Sequence, residues 1–261
     1  MSDVNGAIVL ARDLTLSVVS HGHGGLLTSL LDDLDNQATL AGTKVVVTLN
    51  VAEDLSFDSY ANILVTVVRN SVPKGFGANH NAAFEHCTTR WFAVLNPDLR
   101  IAEVEPFSSL VRLAATIPNV GVLAPRILSS CGETEDAVRT NLTPWSLLLR
   151  RHGRRGVVTP DLPTRRGRAF YWLAGMSLMF DAAAYRQIGG FDERFFLYCE
   201  DYEICARLYA NGYALAVDRH SKIVHDAQRD SHRSVKHLVW HLTSLLRVWT
   251  SMSFWSVTLR R

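Results

Sequence analysis

Two adjacent acids, Glu200 and Asp201, have the side chains that could abstract a proton from a substrate. They follow an aromatic run, Phe195–Tyr198, and precede apolar residues at helical spacing. Gly212 can cap the carboxyl end of such a helix, so the two acids are predicted to begin it. Acids suit the first turn of any helix because they complement the macrodipole. The aromatic run favours a further role, since apolar surroundings raise a carboxylate pKa towards the range useful to a general base.

The tripeptide Asn96-Pro97-Asp98 is the second group with chemical potential. Its proline ends the apolar stretch Trp91–Leu95 as a strand, so Asp98 is expected to leave the edge of the sheet. One carboxylate there could hold a divalent cation shared with a phosphate, and an ordinary turn is the equal alternative. His225 ends another β-branched run and becomes a ligand candidate only if the fold brings it to Asp98.

A helix entrance rich in small residues, Lys74–Asn81, lies between two predicted strands. Such an entrance can offer backbone N–H groups to a phosphate. Its glycine spacing matches neither the Walker nor the Rossmann pattern, so a plain loop is the alternative.

The elements that must position these groups alternate between strand and helix. Strands are predicted at Leu14–Ser20, Thr43–Leu49, Ile63–Arg69, Trp91–Leu95, Val120–Ala124, Phe170–Phe180 (broken at Gly175), Tyr213–Val217 and Lys222–His225. Helices are predicted at Leu26–Leu34, Phe76–Cys87, Glu103–Ile117, Thr143–Leu149 and from the Asp181 cap to Ile188. This order predicts an α/β fold with a mostly parallel sheet, and ligands bind such sheets beyond the carboxyl ends of the strands. That rule selects His21, Asn50, Arg69-Asn70 and Asn96-Pro97-Asp98.

Composition limits the class of protein. A chain of 261 residues with 48% hydrophobic content can bury one core, with or without an appendage. No apolar run is long enough to span a bilayer, and Met1–Leu10 lacks the pattern of a signal peptide, so a cytoplasmic location is expected. The four cysteines show no metal-ligand spacing, which predicts reduced thiols.

Charge is distributed unevenly along the chain. Residues 1–130 carry 8 basic and 12 acidic side chains, whereas residues 131–261 carry 19 and 13, so an anion is expected to bind the second half. Arginines crowd Arg150–Arg168, which is either a solvated loop or a flap that contacts a phosphate or anionic lipid. Nucleic acid is disfavoured because aromatic residues do not interleave with the arginines.

The tail Ser234–Thr250 places its apolar residues on one helical stripe. Core packing or a homodimer seam is one interpretation. A Trp-bearing basic helix that lies on the inner face of the cell membrane is the other.

In this order, the motifs resemble the family 2 inverting glycosyltransferases of the GT-A fold, and within them the bacterial rhamnosyltransferases that build O-antigen and related surface glycans. The resemblance runs from about Leu16 to about His225 and is carried by Val18–His23, Gly75–Asn81, Leu95–Asp98, Gly190–Glu193 and Phe196–Asp201. It implies a Rossmann-like, mixed and mostly parallel sheet over residues 1–230. The nucleotide-sugar half is expected at about 14–125 and the acceptor half at about 126–230, with a C-terminal helical tail at 231–261.

The resemblance also implies roles for single residues. Asp98 is similar to the family's metal-binding acid, with Asn96 in the place of the first carboxylate of Asp-X-Asp and Mg²⁺ or Mn²⁺ as the cation. Asp201 resembles the general base, and Glu200 its neighbour that orients or tunes it. His225 resembles a late histidine that some relatives use as a further metal ligand.

The implied donor site contains Ser20, His21, Gly75, Phe76 and Asn81. Relatives commonly show Asp-Asn after the second strand, where this chain has Leu49-Asn50. Recognition of the nucleobase is therefore altered or passes to Asn50 or Asp54. The resemblance implies a dTDP- or UDP-linked donor, with dTDP-rhamnose the closest match, and a glycan or a polyprenyl-diphosphate-linked acceptor.

Two alternatives remain open. A sugar-phosphate nucleotidyltransferase should carry a cationic Gly-rich signature after the first strand, and His21–Gly25 contains no Lys or Arg. A catalytically degenerate, transferase-like binding module gains weight from Asn96 and Leu49.

Overall fold

The computed structural model describes residues 10–102, 104–151, 163–226 and 235–259, which form a mixed α/β fold. The strands are β1 (Leu14–Ser20), β2 (Lys44–Leu49), β3 (Leu64–Arg69), β4 (Trp91–Leu95), β5 (Leu99–Arg100), β6 (Val120–Ser129), β7 (Val138–Thr140), β8 (Tyr171–Leu173), β9 (Ser177–Asp181) and β10 (Ala214–His225). The α-helices are α1 (Gly24–Asp35), α2 (Phe76–Phe84), α3 (Phe107–Ala114), α4 (Pro144–Arg151), α5 (Ala182–Gln187), α6 (Glu200–Ala210), α7 (Val235–Thr250) and α8 (Met252–Leu259).

Eight strands form one sheet in the order β3-β2-β1-β4-β9-β6-β10-β5. The first four in this order are parallel, β9 is antiparallel to both of its neighbours, and β6 and β10 are parallel. Strands β7 and β8 form a separate antiparallel pair. The carboxyl ends of β1, β2 and β4 therefore meet at one edge, where a ligand site is expected.

Helices pack on both faces of the sheet, so the central strands are buried on both faces and most of their side chains are apolar. Side chains alternate between the faces: Val45 and Val47 join the core with α1 and α3, whereas Val46 joins the core with α2, α5 and α6. The C-terminal helices add to the second core through Val248 and Phe254. The acid-bearing helix α6 is thus held between the sheet and the tail.

The predicted elements are present, although several differ in extent. Helix α3 begins at Phe107 rather than at residue 103, which lies outside the described residues, because Pro106 fixes the first turn. Strand β6 continues to Ser129. The two predicted strands after Gly212 are one strand, β10, with an irregularity between Asp218 and Lys222.

The structure describes only part of the predicted basic loop and of the segment that leads into the tail helix. Residues 152–162 of the predicted basic loop, which include Arg154 and Arg155, and residues 227–234 lie outside the described residues. Within the described ranges, no helix combines the length and the hydropathy that crossing a bilayer requires. The division of residues 1–230 into two functional halves stays a prediction.

Candidate active site

The acid pair occupies the first turn of α6, as the sequence predicts. The chain enters this helix through two residues in the left-handed region, Tyr198 with φ 73° and Cys199 with φ 65°. Neither is glycine, so each costs of order 1–2 kcal/mol unless its surroundings hold it. Such backbone strain is concentrated at functional sites in proteins, and here it sets the direction in which α6 starts.

Asp201 is anchored by backbone N–H groups. Its Oδ2 accepts a hydrogen bond from the amide of Gly175 at 2.9 Å, and its Oδ1 accepts one from its neighbour Tyr202 at 2.8 Å. A Cβ at position 175 would lie 3.4 Å from the Cβ of Asp201 and 3.8 Å from the ring of Phe76, both ordinary van der Waals distances, so Gly175 lies close to both groups. The carboxylate therefore has a fixed orientation beside an aromatic ring.

Glu200 is more deeply buried than its neighbour. Its side chain is only 6% exposed, and its Oε2 has no hydrogen-bond partner. Burial raises the pKa of Glu200, and the charge of Asp201 raises it further. Burial also raises the pKa of Asp201, but Arg139 and the amide of Gly175 oppose this. Glu200 is thus the carboxyl that keeps a proton, and Asp201 the one that ionises first.

Asp98 and His225 are brought together where β5 pairs with β10. Strands β5 and β10 pair antiparallel, with His225 opposite Leu99, and the amide of Asp226 donates to the Asp98 carbonyl at 2.9 Å. As a result, His225 Nε2 lies 3.2 Å from Asp98 Oδ2, while His225 Nδ1 lies 2.8 Å from Oε2 of Glu135. Burial lowers the pKa of His225, but Asp98 and Glu135 outweigh it and raise the pKa to about 9.

The donor set fits a divalent cation of the Mg²⁺ or Mn²⁺ type. Oδ1 of Asp98 is buried without a partner, and an imidazole nitrogen lies beside the other carboxylate oxygen. In the described part of the chain, no three His, Cys, Asp or Glu side chains are arranged to hold one ion. Asp98 and His225 would therefore be two protein ligands, with a diphosphate and water supplying the others.

Two successive residues connect the acid pair to the Asp98 turn. The amide of Gly175 binds Asp201, and the carbonyl of the next residue, Met176, accepts from the amide of Asn96 at 3.0 Å. Bond lengths then limit the distance from Asn96 N to the Asp201 carboxylate to about 12 Å. The acid pair and the turn that carries Asp98 are therefore neighbours in the fold.

Among the predicted donor-site residues, His21 and Asn50 are brought into contact. The side-chain nitrogen Nδ2 of Asn50 lies 2.9 Å from His21 Nδ1, and Asn50 Oδ1 accepts from the backbone amide of Lys74 at 2.8 Å. Ser20 is buried and its hydroxyl accepts from the amide of His23. Asp54 is exposed in the loop after β2. Asn50 therefore ties the loop before α2 to the end of β1, and a nucleobase contact from it stays a prediction.

Gly75, Phe76 and Asn81 contact the segment that leads to the acid pair. A side chain on Gly75 would approach the backbone of Phe196 to 2.8 Å, and the amide of Phe76 donates to the carbonyl of Phe196 at 2.9 Å. Oδ1 of Asn81 accepts from the hydroxyl of Tyr185 and the amide of Phe191. These residues support the acid-bearing segment, and a direct contact with the donor stays a prediction.

Helix α7 packs against the same segment, a contact that periodicity alone did not predict. The Tyr198 hydroxyl lies 2.8 Å from Nδ1 of His237, and the rings of Phe196 and Trp240 are 4.8 Å apart. Ser244 donates to the Leu197 carbonyl at 3.0 Å. The left-handed turn before the acids is therefore held from the C-terminal side of the chain.

Glu135 and Arg139 are site residues that sequence reasoning missed. Glu135 contacts His225, and Arg139 stacks over the ring of Trp172 at 5.1 Å and lowers the pKa of Asp201. Both lie between β6 and β8, far from their partners in sequence. Neither a single acid in a short connection nor a single arginine on the three-residue strand β7 carries a signal of this kind.

The burial of Glu200 predicts a pH-dependent gain in stability for Glu200→Gln. A folded-state pKa above the unfolded value of about 4.3 means that the stability contributed by the protonated acid is lost as pH rises through the folded pKa. Glutamine stays neutral, so the variant should gain on the order of 1–3 kcal/mol in free energy of unfolding at pH 9 and much less at pH 5. Urea unfolding at both pH values measures this. The exposed residue Glu85 supplies the control, and an equal response of Glu85→Gln would contradict the explanation.

Comparison with known sequences finds one family and a small set of curated relatives. The model of Glycosyl transferase family 2 matches residues 42–174, about half of the chain. The N-acetylglucosaminyl-diphospho-decaprenol L-rhamnosyltransferase of Mycobacterium tuberculosis is 27% identical over 58% of this chain and 52% of its own length. The rhamnosyltransferase WbbL of Escherichia coli K12 is 32% identical over 29% of each chain. The chain spans about half the length of the mycobacterial relatives that it matches.

Solved structures share the fold at low sequence identity. A mannosyltransferase of Pyrobaculum calidifontis in complex with GDP-Man and Mn²⁺ has a TM-score of 0.63 and 17% identity, covering 90% of this chain and 64% of that one. Residues 1–349 of TarS from S. aureus, in complex with UDP-GlcNAc, give 0.58 and 16%, covering 84% and 60%. The predicted GT-A type of fold is confirmed.

Proposed function

The chain belongs to glycosyl transferase family 2, and we propose that it transfers L-rhamnose from dTDP-rhamnose, with inversion, to a hydroxyl of a glycan or polyprenyl-diphosphate-linked acceptor in bacterial surface polysaccharide synthesis. The observation that carries the proposal is the connection through Gly175 and Met176, which holds the partly buried Asp201, the candidate base, near the Asp98 turn. The rhamnosyltransferase names of the relatives support the choice of sugar.

In the proposed reaction, the acceptor hydroxyl gives its proton to the carboxylate of Asp201. The acceptor oxygen then bonds to the anomeric carbon as the bond from that carbon to the diphosphate breaks, and the nucleoside diphosphate leaves with the electron pair. Attack from the face opposite the diphosphate inverts the configuration. Protonated Glu200 leaves Asp201 as the ionised member of the pair, which is the state that a base requires.

Asp98 and His225 are the residues that would hold a divalent cation. When bound, such a cation stabilises the negative charge that grows on the leaving diphosphate. The Mn²⁺ in the complex of the mannosyltransferase supports this role.

A thermal-shift screen of nucleotide sugars tests the proposal. With the ligand at about 100 times its Kd, binding adds about 2.7 kcal/mol and raises the Tm by roughly 5–10 °C. We expect dTDP-rhamnose with Mn²⁺ to exceed UDP sugars, and dTDP release to require an acceptor glycan. Pyrophosphate release would favour a nucleotidyltransferase instead, and binding without any transfer would favour a degenerate module.

The acceptor is proposed to be reached at an anionic membrane surface. Large apolar side chains are exposed along the tail helices at Leu238, Val239, Leu242, Leu246, Met252, Trp255 and Leu259. No acidic residue occurs from Ser231 to Arg261, which suits an anionic lipid surface. The opposite side of α7 contacts the segment before the acid pair, so a chain bound in this way would hold its site near the membrane.

The double variant Leu242→Glu/Leu246→Glu should weaken vesicle binding at least about tenfold. It removes apolar area that would be buried in the membrane on binding, and it adds repulsion between glutamate and the anionic lipid. Cosedimentation with phosphatidylglycerol vesicles measures the effect. Leu64→Glu changes an exposed leucine on the edge strand β3 and serves as control. If the double variant instead changes the oligomeric state in the absence of vesicles, the exposed apolar face of α7 is a dimer interface.

A further inference from the structure

Glu135 lies against the side of His225 that faces away from Asp98. We propose that it is a positioning residue, which fixes the imidazole so that Nε2 can bind the cation; this inference rests on the proposed function. The distances carry it: Oε2 of Glu135 lies 2.8 Å from Nδ1, and Nε2 lies 3.2 Å from Asp98. Because both ring nitrogens have partners, the ring has one favoured orientation.

The three side chains form a line that is largely removed from solvent. Exposed fractions are 24% for Glu135, 14% for His225 and 22% for Asp98. Hydrogen bonds and charges act more strongly at such sites than on an open surface. The carboxylate of Glu135 can therefore hold the ring more firmly than an exposed ion pair would.

The backbone of Glu135 is fixed by the sheet that carries His225. Its amide donates to the carbonyl of Ile127 at 2.9 Å, and its carbonyl accepts from Ala137 at 2.8 Å. Ile127 lies on β6, which pairs with β10 so that Ser129 stands opposite His225. The orienting acid is thus hydrogen-bonded to β6, the strand next to the one that carries the ligand, which keeps their spacing constant.

A carboxylate in this place has a defined chemical effect. When Nδ1 donates its hydrogen to Glu135, the lone pair of a neutral imidazole is left on Nε2, on the side of Asp98. The same hydrogen bond makes Nε2 a stronger donor to a metal. Without Glu135, the ring could rotate or present either nitrogen, and the cation would lose a preformed ligand.

Three variants test the proposal through metal affinity rather than turnover. Glu135→Ala removes the acceptor and should weaken Mn²⁺ binding about 10- to 100-fold. Glu135→Gln keeps an oxygen that accepts from Nδ1 and should retain most of the affinity. Glu133→Ala removes an exposed acid two residues away and should change nothing. Free Mn²⁺ is measured by electron paramagnetic resonance, with the metal alone and again with dTDP, and thermal unfolding confirms that each variant folds.

Each outcome either supports or contradicts the positioning role of Glu135. Affinity in Glu135→Ala equal to that of the unchanged chain in both titrations would overturn the positioning role, as would the absence of Mn²⁺ binding by the unchanged chain. Equal losses in Glu135→Ala and Glu133→Ala would reduce the effect to net charge and also overturn it. If Glu135→Ala alone loses the metal but no nucleotide sugar is used, the proposed function fails while the role of Glu135 stands.

Discussion

Asp201→Asn should reduce sugar transfer by about 10²- to 10⁴-fold while donor affinity stays within about twofold of the unchanged chain, the range that general base catalysis contributes. The amide cannot take the acceptor proton, yet it has nearly the same size and can still accept from the amide of Gly175. Initial rates of dTDP release with acceptor measure transfer, and calorimetry measures donor binding.

The pH profile gives this prediction a second readout. Transfer by the unchanged chain should rise with pH as the acid pair loses its first proton, above the usual range of a carboxylate because burial raises the pKa of both acids. Residual transfer by Asp201→Asn should lack that rise. Glu200→Gln supplies the comparison, since it removes the neighbouring acid and leaves the base. Near-native turnover in Asp201→Asn would exclude this residue as the base.

The fold was largely predictable because its central strands are buried on both faces. The run Trp91–Leu95 contains no polar residue, and helices α1 and α3 each place apolar residues on one buried face. The pairing of β9 antiparallel between β4 and β6 was not predicted, because local patterns say nothing about the direction of a neighbouring strand.

Residue patterns alone predicted the candidate site only where its residues are adjacent in sequence, and the pairing of His225 with Asp98 was expected from the family resemblance. Glu200 and Asp201 can be recognised in the sequence because they are adjacent. Glu135 and His225 are 90 residues apart, and they meet only because β6 and β10 are neighbours. The left-handed Tyr198 and Cys199 carry no sequence signal either, since glycine is the residue that usually marks this conformation.

The structural role of the glycines at the start of α2 also could not be predicted from the sequence. A glycine that lets a backbone approach a phosphate looks identical in sequence to one that lets two protein segments touch. The structure has the second use at Gly75, against Phe196, and at Gly77, where a Cβ would lie 2.5 Å from the Cβ of Phe191. Contacts within the protein therefore account for this motif, and its resemblance to a donor site rests on the family alone.

Asp98→Ala should weaken donor binding in Mn²⁺ by about 100-fold, or about 2.8 kcal/mol, and have little effect in EDTA. The reason is that Asp98 Oδ1 is buried without a partner, so the main benefit of this carboxylate is expected only when a cation is present. Calorimetry with dTDP-rhamnose, with and without Mn²⁺, measures the coupling. His225 keeps its contact with Glu135 in this variant, which limits the loss of structure around the site.

Asp98→Asn separates charge from shape in the same experiment. It preserves the side-chain volume beside His225 but removes the negative charge that attracts a cation, so it should lose most of the Mn²⁺-dependent affinity as well. Asp33→Asn is the control for a carboxylate with a structural role, because Asp33 binds Arg100 at 2.7 Å near the same turn. Donor affinity that is unchanged in Asp98→Asn and Asp98→Ala under both conditions would exclude a metal role for Asp98. Loss in both Mn²⁺ and EDTA would instead mean that Asp98 shapes the donor pocket directly.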